Sequence, residues 1–318
     1  DRLPQRIDRY EILRILGEGG MGVVYLAQQT SPVRRQVALK VVKPGMDSRQ
    51  VLARFRAEQQ TLALLSHPHI ASVHDAGLTE LHYPYFVMEY VDGLPITQYC
   101  DEHQLTIEQR LLLYLQVCQA IQHAHQKGVI HRDVKPSNVL VSHADDRPLV
   151  KVIDFGVARA LDHTLSDETV LTQRGQMLGT PEYMSPEQAR MVDRDIDTRT
   201  DVYSLGVLLY ELLVGVLPFD PEMFRKEGID RLRQVICEQE PQTPSTRLST
   251  VNRKRSEELA GRRDTNLHAL RQRLQGDLDW ITLKALEKDP TRRYETVHAL
   301  AMDVENFLAC RPVSAVRP

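Results

Sequence analysis

Two clusters in this 318-residue chain hold residue types that do chemistry on phosphates. The first is Gly17-Glu18-Gly19-Gly20-Met21-Gly22-Val23-Val24, a G-x-G-x-x-G-x-V pattern. Glycines at this spacing let main-chain N–H groups close over phosphate oxygens. Dinucleotide sites share the G-x-G-x-x-G part, but there the glycines open a helix. Here they fall between β-rich runs, Tyr10–Leu16 and Val23–Ala27, so a glycine hairpin is expected. No G-x-x-x-x-G-K-[ST] run occurs, which disfavours a Walker-type NTPase. Lys40, on a third β-rich run, Gln36–Val42, shares a face with Ala38 and needs an anionic partner. A phosphate would serve, and so would Glu58, on a helix expected to begin near Ser48.

The second cluster is His131-Arg132-Asp133-Val134-Lys135-Pro136-Ser137-Asn138, read as a loop between the short β segments Val129–Ile130 and Val139–Val141. Asp154-Phe155-Gly156 follows another such segment, Val150–Ile153.

The elements that must position these clusters divide in two. The first 90 or so residues read as a small sheet plus one helix, with further strands at Ala71–Asp75 and Tyr85–Tyr90. After Gly93 the pattern becomes helical. Thr106-Ile107-Glu108-Gln109 is a capping box and Gly128 fits the end of the helix it opens. Val202–Phe219 is apolar enough to suggest a membrane span, but Glu211, Gly215 and Pro218 make it a buried core helix instead. The stretch 241–275 is polar and rich in arginine, and reads as an inserted loop with some helix, its basic run solvated or facing an acidic partner.

Composition narrows the classes. Forty Lys and Arg against 43 Asp and Glu give a net charge of −3, no reason to expect nucleic acid. Hydrophobic residues at 42% exclude wholesale disorder. Cys100, Cys118, Cys237 and Cys310 show no paired spacing, which argues against disulfides or structural zinc and for a reducing compartment.

The motifs taken together, with Val37-Ala38-Leu39-Lys40, Gly179-Thr180-Pro181-Glu182-Tyr183-Met184-Ser185-Pro186-Glu187 and Asp201-Val202-Tyr203-Ser204-Leu205-Gly206, resemble the Hanks-type, eukaryotic-like protein kinases. The wording is similar to bacterial members, including the large planctomycete-type families. The resemblance implies an α+β, bilobal fold: a five-stranded antiparallel sheet lobe with one main helix over residues 1–92, a larger helical lobe over 93–310, and a linker beginning at 311–318. It implies ATP and Mg²⁺ as cofactors, Mn²⁺ being a possible substitute, and proteins with Ser or Thr acceptors as substrates.

By the same resemblance, Asp133 accepts the substrate hydroxyl proton and Lys135 neutralises charge on the transferred group. Asn138 and Asp154 hold the metal, and Lys40, tied to Glu58, holds the α- and β-phosphates. Gly17 to Gly22 cover the phosphates, including Glu18, Gly20 and Met21. Val24, Ala38 and Leu140 sandwich the adenine, the Glu89–Val91 main chain bonds its edge, and Met88 guards the back of the pocket. Thr180 bonds the catalytic Asp and Lys in Ser/Thr kinases, and the Lys135-Pro-Ser-Asn138 form of the loop points the same way. Arg132 marks kinases switched by phosphorylation of the activation loop, here at Thr172 and next at Thr169. Glu187 and Arg292 match a buried ion pair, Asp201 is structural, and His67, His69, His123 and His125 are packing or surface residues. A transient homodimer through the small lobe, no nucleic-acid or membrane contact, and a cytoplasmic location complete the expectation, with a longer, membrane-tethered full-length protein compatible with it. A pseudokinase would lack Lys40, Asp133 or Asp154, and small-molecule phosphotransferases lack the Thr180–Glu187 segment.

Overall fold

The computed structural model describes residues 4–19, 22–42, 65–144, 147–155, 181–190, 196–220, 231 and 233–316. The chain divides into two compact units, one of residues 1–92 with 153–179, the other of 93–152 with 180–318.

In the first unit a six-stranded antiparallel sheet runs in the order β1-β2-β3-β4-β6-β5. Its strands are β1 (Arg6–Ile7), β2 (Tyr10–Gly19), β3 (Gly22–Gln29), β4 (Arg35–Val42), β5 (Val73–Leu78) and β6 (Pro84–Glu89). The sequence predicts five; the sixth is the two-residue β1, too short to show alternation. Register then sorts the faces, because directly paired residues point the same way. Val24 pairs with Lys40, Leu26 with Ala38, and Ala38 with Met88, so these share one face. Tyr10, Ala27, Val37, Leu39, Tyr85 and Val87 form a buried cluster, with Tyr25 and Val41 packed on it. The alternating apolar pattern therefore leaves a core on one face and Lys40 on the other.

The second unit is mostly helical. A three-stranded sheet, β7 (Leu94–Pro95), β8 (Val139–Ala144) and β9 (Arg147–Val152), lies in that order. Val129–Ile130, expected as strand, is not one. Helix α1 spans Ile96–Glu102 and α2 spans Ile107–Gln126. Thr106 and Gln109 cap α2 reciprocally, and Gly128 follows its end in a left-handed conformation. After the short α3 (Pro186–Ala189) comes α4 (Thr198–Val214), apolar almost all round and buried along nearly its whole length. Gly215 ends it at φ 84°, the left-handed conformation glycine adopts most cheaply. Among the described residues no helix is long and apolar enough to cross a membrane.

The stretch 241–275, expected as an inserted loop with some helix, is mostly helical. It folds into α5 (Pro244–Thr250), α6 (Arg253–Gly261) and α7 (Leu267–Leu274), followed by α8 (Asp277–Ala285) and α9 (Val297–Leu308). Thr243, Asn252 and Asn266 cap the three helices, and Leu248, Leu259, Leu270 and Leu274 are buried. The basic run is not uniformly solvated: Arg263 is 1% exposed. Few apolar residues suffice here because each sits on the inward side. Beyond α9, Ser314 and Ala315 bond to Asp303.

Candidate active site

The first unit positions the glycine hairpin, Lys40 and Asp154. Strands β2 and β3 pair down to Gly19 with Gly22, carrying Gly17 and Glu18 opposite Val24 and Val23. Gly22 has φ 156°, and a Cβ there would lie 2.0 Å from the Val41 carbonyl oxygen, so a side chain is excluded. At Gly17 and Gly19 an added Cβ would meet nothing within 4 Å, which leaves that surface open to a ligand. Gly20 and Met21 lie outside the described residues.

Lys40 is 7% exposed and its Nζ lies 2.8 Å from Asp154 Oδ2. The strand lysine thus has a carboxylate partner that spacing alone did not predict; Glu58 lies outside the described residues. Asp154 has φ 64°, a costly conformation for a residue with a side chain, of order 1–3 kcal/mol. Ala38 and Met88 are buried and Val24, Glu89 and Val91 half-buried. Glu89 donates its main-chain N–H to Ser72 O at 2.8 Å. Behind Met88 lies a cavity of about 20 Å³, lined also by Leu65, Phe86 and Phe155.

The second unit builds the loop 131–138. Val134 is fully buried and pins its middle. Asp133 is the hub: Lys135 Nζ lies 2.8 Å from its Oδ2, and Asn138 Nδ2 donates to the same oxygen at 2.9 Å and to Asp133 O at 2.8 Å. Asp133 Oδ1 has no bonded partner among the described residues. Its side chain is 31% exposed, so that oxygen is reachable. With its amide nitrogen committed to Asp133, Asn138 presents its oxygen as the remaining acceptor. Leu140, two residues on in β8, is half-buried.

Arg132, just before Asp133, has φ 66°. Asp201 in α4 holds it there: Oδ1 accepts from Arg132 N and Oδ2 from His131 N, both at 2.8 Å. His125 of α2 places Nε2 2.7 Å from Asp201 Oδ2, and Gln188 donates to Arg132 O at 2.8 Å. Burial alone would raise the Asp201 carboxyl, but these hydrogen bonds and the charge of the histidines bring it below the usual range. His125 was expected as a packing or surface residue. Its spacing from His131 in the sequence carries no sign of the shared partner, which comes from another helix.

The Glu187 ion pair is a second correction. Its partner is Arg293, whose Nη1 and Nη2 lie 2.7 and 2.8 Å from the two carboxylate oxygens. Arg292 is instead 71% exposed and 4.0 Å from Glu287. Adjacent arginines read alike in sequence; the turn Pro290–Arg292 decides which one faces inward. Thr169, Thr172 and Thr180 lie outside the described residues.

Such a fold, with a glycine hairpin, a strand lysine bound to an aspartate, and an aspartate hub on a loop, defines the protein kinases. The chain belongs to the protein kinase domain family, whose model matches residues 10–304. It is 36% identical over 317 residues to serine/threonine-protein kinase PknB of Mycobacterium leprae, covering 98% of this chain and 45% of that protein. It is 35% identical to serine/threonine-protein kinase PrkC of Bacillus subtilis, covering 93% of this chain and 40% of that protein. The chain thus spans less than half the length of these curated relatives. Among solved structures it is similar to the PknI kinase domain of Mycobacterium tuberculosis, with a TM-score of 0.66 and 26% identity, covering 96% of this chain and 100% of that one.

Proposed function

We propose that this domain transfers the γ-phosphate of ATP to Ser and Thr hydroxyls of proteins, its own activation loop at Thr172 and Thr169 included, in bacterial signalling. The observation that carries the reading is the Asp133 carboxylate. One oxygen is fixed by Lys135 and Asn138, and the other has no partner among the described residues and is reachable. A group so held can accept a hydroxyl proton while aiming the hydroxyl oxygen.

Phosphoryl transfer asks for positioning and charge neutralisation more than covalent chemistry. Lys40, kept rigid by Asp154, supplies fixed positive charge for the α- and β-phosphates. The open surface at Gly17 and Gly19 fits phosphates approached by main-chain N–H groups. Glu18, Gly20, Met21 and Gly22 are assigned to the same phosphate-covering set. Val24, Ala38 and Leu140 supply apolar contacts for the base, the Glu89–Val91 main chain its edge contacts, and Met88 the rear wall. Lys135 neutralises charge on the transferred group, and to Glu58 and Thr180, outside the described residues, the same reading assigns the ordering of Lys40 and a bond to Asp133 and Lys135. The oxygens of Asn138 and Asp154 are hard donors of the kind Mg²⁺ takes. Magnesium held by these residues would supply positive charge against the phosphates.

The substrates are proteins; a transient homodimer through the first unit, and a cytoplasmic position for this domain within a longer protein, belong to the same reading. Acid hydrolysis of protein labelled by this domain, followed by phosphoamino-acid separation, tests specificity. Phosphoserine and phosphothreonine are expected; phosphotyrosine as the main product would overturn it.

A further inference from the structure

A cavity of about 520 Å³ opens in the second unit, away from the loop 131–138 in sequence, and the reading above gives it no role. Its walls come from α1, from the start of α2, from the end of α4 and from the α6–α7 turn, where Thr97, Gln98, Arg110, Glu211, Arg262 and Arg263 face it. Three guanidinium groups gather around one carboxylate, Asp101. Arg110 Nη1 lies 2.9 Å from its Oδ1, Arg262 Nη1 3.1 Å from its Oδ2, and Arg263 Nη1 3.9 Å from its Oδ1.

Arg110 and Arg263 are each only 1% exposed. Their other bonds go to neutral carbonyls. Arg263 donates to the carbonyl oxygens of Leu213, Leu259, Glu211 and Leu212, and Arg110 to those of Leu105, Cys100 and Arg262. The remaining acids in the wall do little to balance this charge. Glu102 accepts from Gln98 at the rim. Glu211 is half-buried, and desolvation pushes its carboxyl above the usual range, with the Tyr183 hydroxyl as its donor. Burial, with Arg110 close by, also pushes Arg263 down to about 9. Three cations around the one Asp101 carboxylate, their other bonds going to carbonyl dipoles, leave positive charge in excess.

We propose that this cavity binds a phosphate group, with Arg262 at its mouth as the principal contact and the buried Arg110 and Arg263 supplying the field. Arginine presents a planar fork suited to phosphate oxygens, and Thr97 and Gln98 add neutral donors. The volume exceeds that of the ion alone, which favours a phosphate carried on a larger body such as a phosphorylated side chain. Glu211 links the cavity to Tyr183, and Ser204 bonds Tyr183 O at 2.9 Å, so an occupant touches the anchorage of the 181–187 segment.

The test is calorimetric titration of the domain, its nucleotide site filled with a non-hydrolysable ATP analogue, with inorganic phosphate and with a phosphoserine peptide. The unphosphorylated peptide is the blank. Saturable binding is expected. It weakens at least tenfold in Arg262→Glu and in Gln98→Glu, and stays unchanged in Arg253→Glu, which alters an exposed cation elsewhere. Tighter binding of the peptide than of the free ion assigns the site to phosphorylated side chains, and equal binding assigns it to the ion. No saturable binding of either, loss of binding when the analogue is present, or equal effects of Arg262→Glu and Arg253→Glu would overturn the proposal.

Discussion

Asp201 Oδ1 accepts the main-chain N–H of Arg132 at 2.8 Å and so fixes the left-handed residue that precedes Asp133. The carboxylate is fully buried in α4, and its other oxygen serves His131 and His125. The geometry of the loop is therefore set by a helix about 70 residues downstream, through main-chain donors that any residue type would offer.

Asp201→Asn turns one acceptor into a donor facing the main-chain N–H groups of His131 and Arg132 that the carboxylate serves. Kinase turnover is expected to fall about 10²-fold, since small misplacements of a reacting group cost that much. The KM for ATP changes little, because Lys40 and the glycine hairpin, assigned to the α- and β-phosphates, belong to the first unit. Steady-state kinetics at varied ATP checks this; a raised KM with normal turnover would go against it.

The Glu187 partner distinguishes two neighbours. Arg293→Ala leaves a buried carboxylate unpaired and should cost about 3–5 kcal/mol of stability. Arg292→Ala, at an exposed site, should stay within about 0.5 kcal/mol. Urea unfolding of both variants decides. Equal losses would return the pair to an undecided state, and the reverse order would reinstate Arg292.

Acid sensitivity follows from the carboxylates held below their usual range. Asp201 and Glu187 are both lowered: burial opposes ionisation, but His125 for the one and Arg293 for the other outweigh it. A folded pKa below the unfolded one contributes stability that is full above the unfolded value, about 3.9 for Asp and 4.3 for Glu. That contribution is lost as pH falls through the folded value. The urea midpoint should therefore hold from pH 7 to about 5 and drop below about 4.

Lys288 predicts a trend on the alkaline side. Burial pushes its ammonium down to about 8, although Nζ donates to Ile236 O at 2.8 Å and lies 4.8 Å from the Phe219 ring centroid. Because the folded pKa is below the unfolded value of about 10.4, stability from this group is missing below pH 8 and is recovered as pH rises toward 10. Lys288→Met should show a smaller rise in urea midpoint between pH 7 and pH 9 than the wild type. An identical pH profile would contradict the assignment.

Much of this was legible in sequence because the signals are local. The capping box Thr106–Gln109, the apolar α4 and the alternation that puts Lys40 on the face of Ala38 each depend on residues a few positions apart. What escaped depends on distant partners. Asp154 as the partner of Lys40, His125 on Asp201, and Arg293 rather than Arg292 all require the folded chain. The 241–275 stretch misled for another reason. Its arginines suggest solvent, yet Arg263 spends its donors on the carbonyls that end α4, and such a helix terminus has no signature in the arginine itself.

The account rests on Asp133 as the proton acceptor in phosphoryl transfer. The most direct measurement is incorporation of label from γ-labelled ATP with Mg²⁺ into protein, wild type beside Asp133→Asn, both shown to be folded by circular dichroism. The account predicts clear labelling by the wild type and a loss of at least about 10²-fold in the variant. Wild-type labelling no greater than that of Asp133→Asn would contradict it.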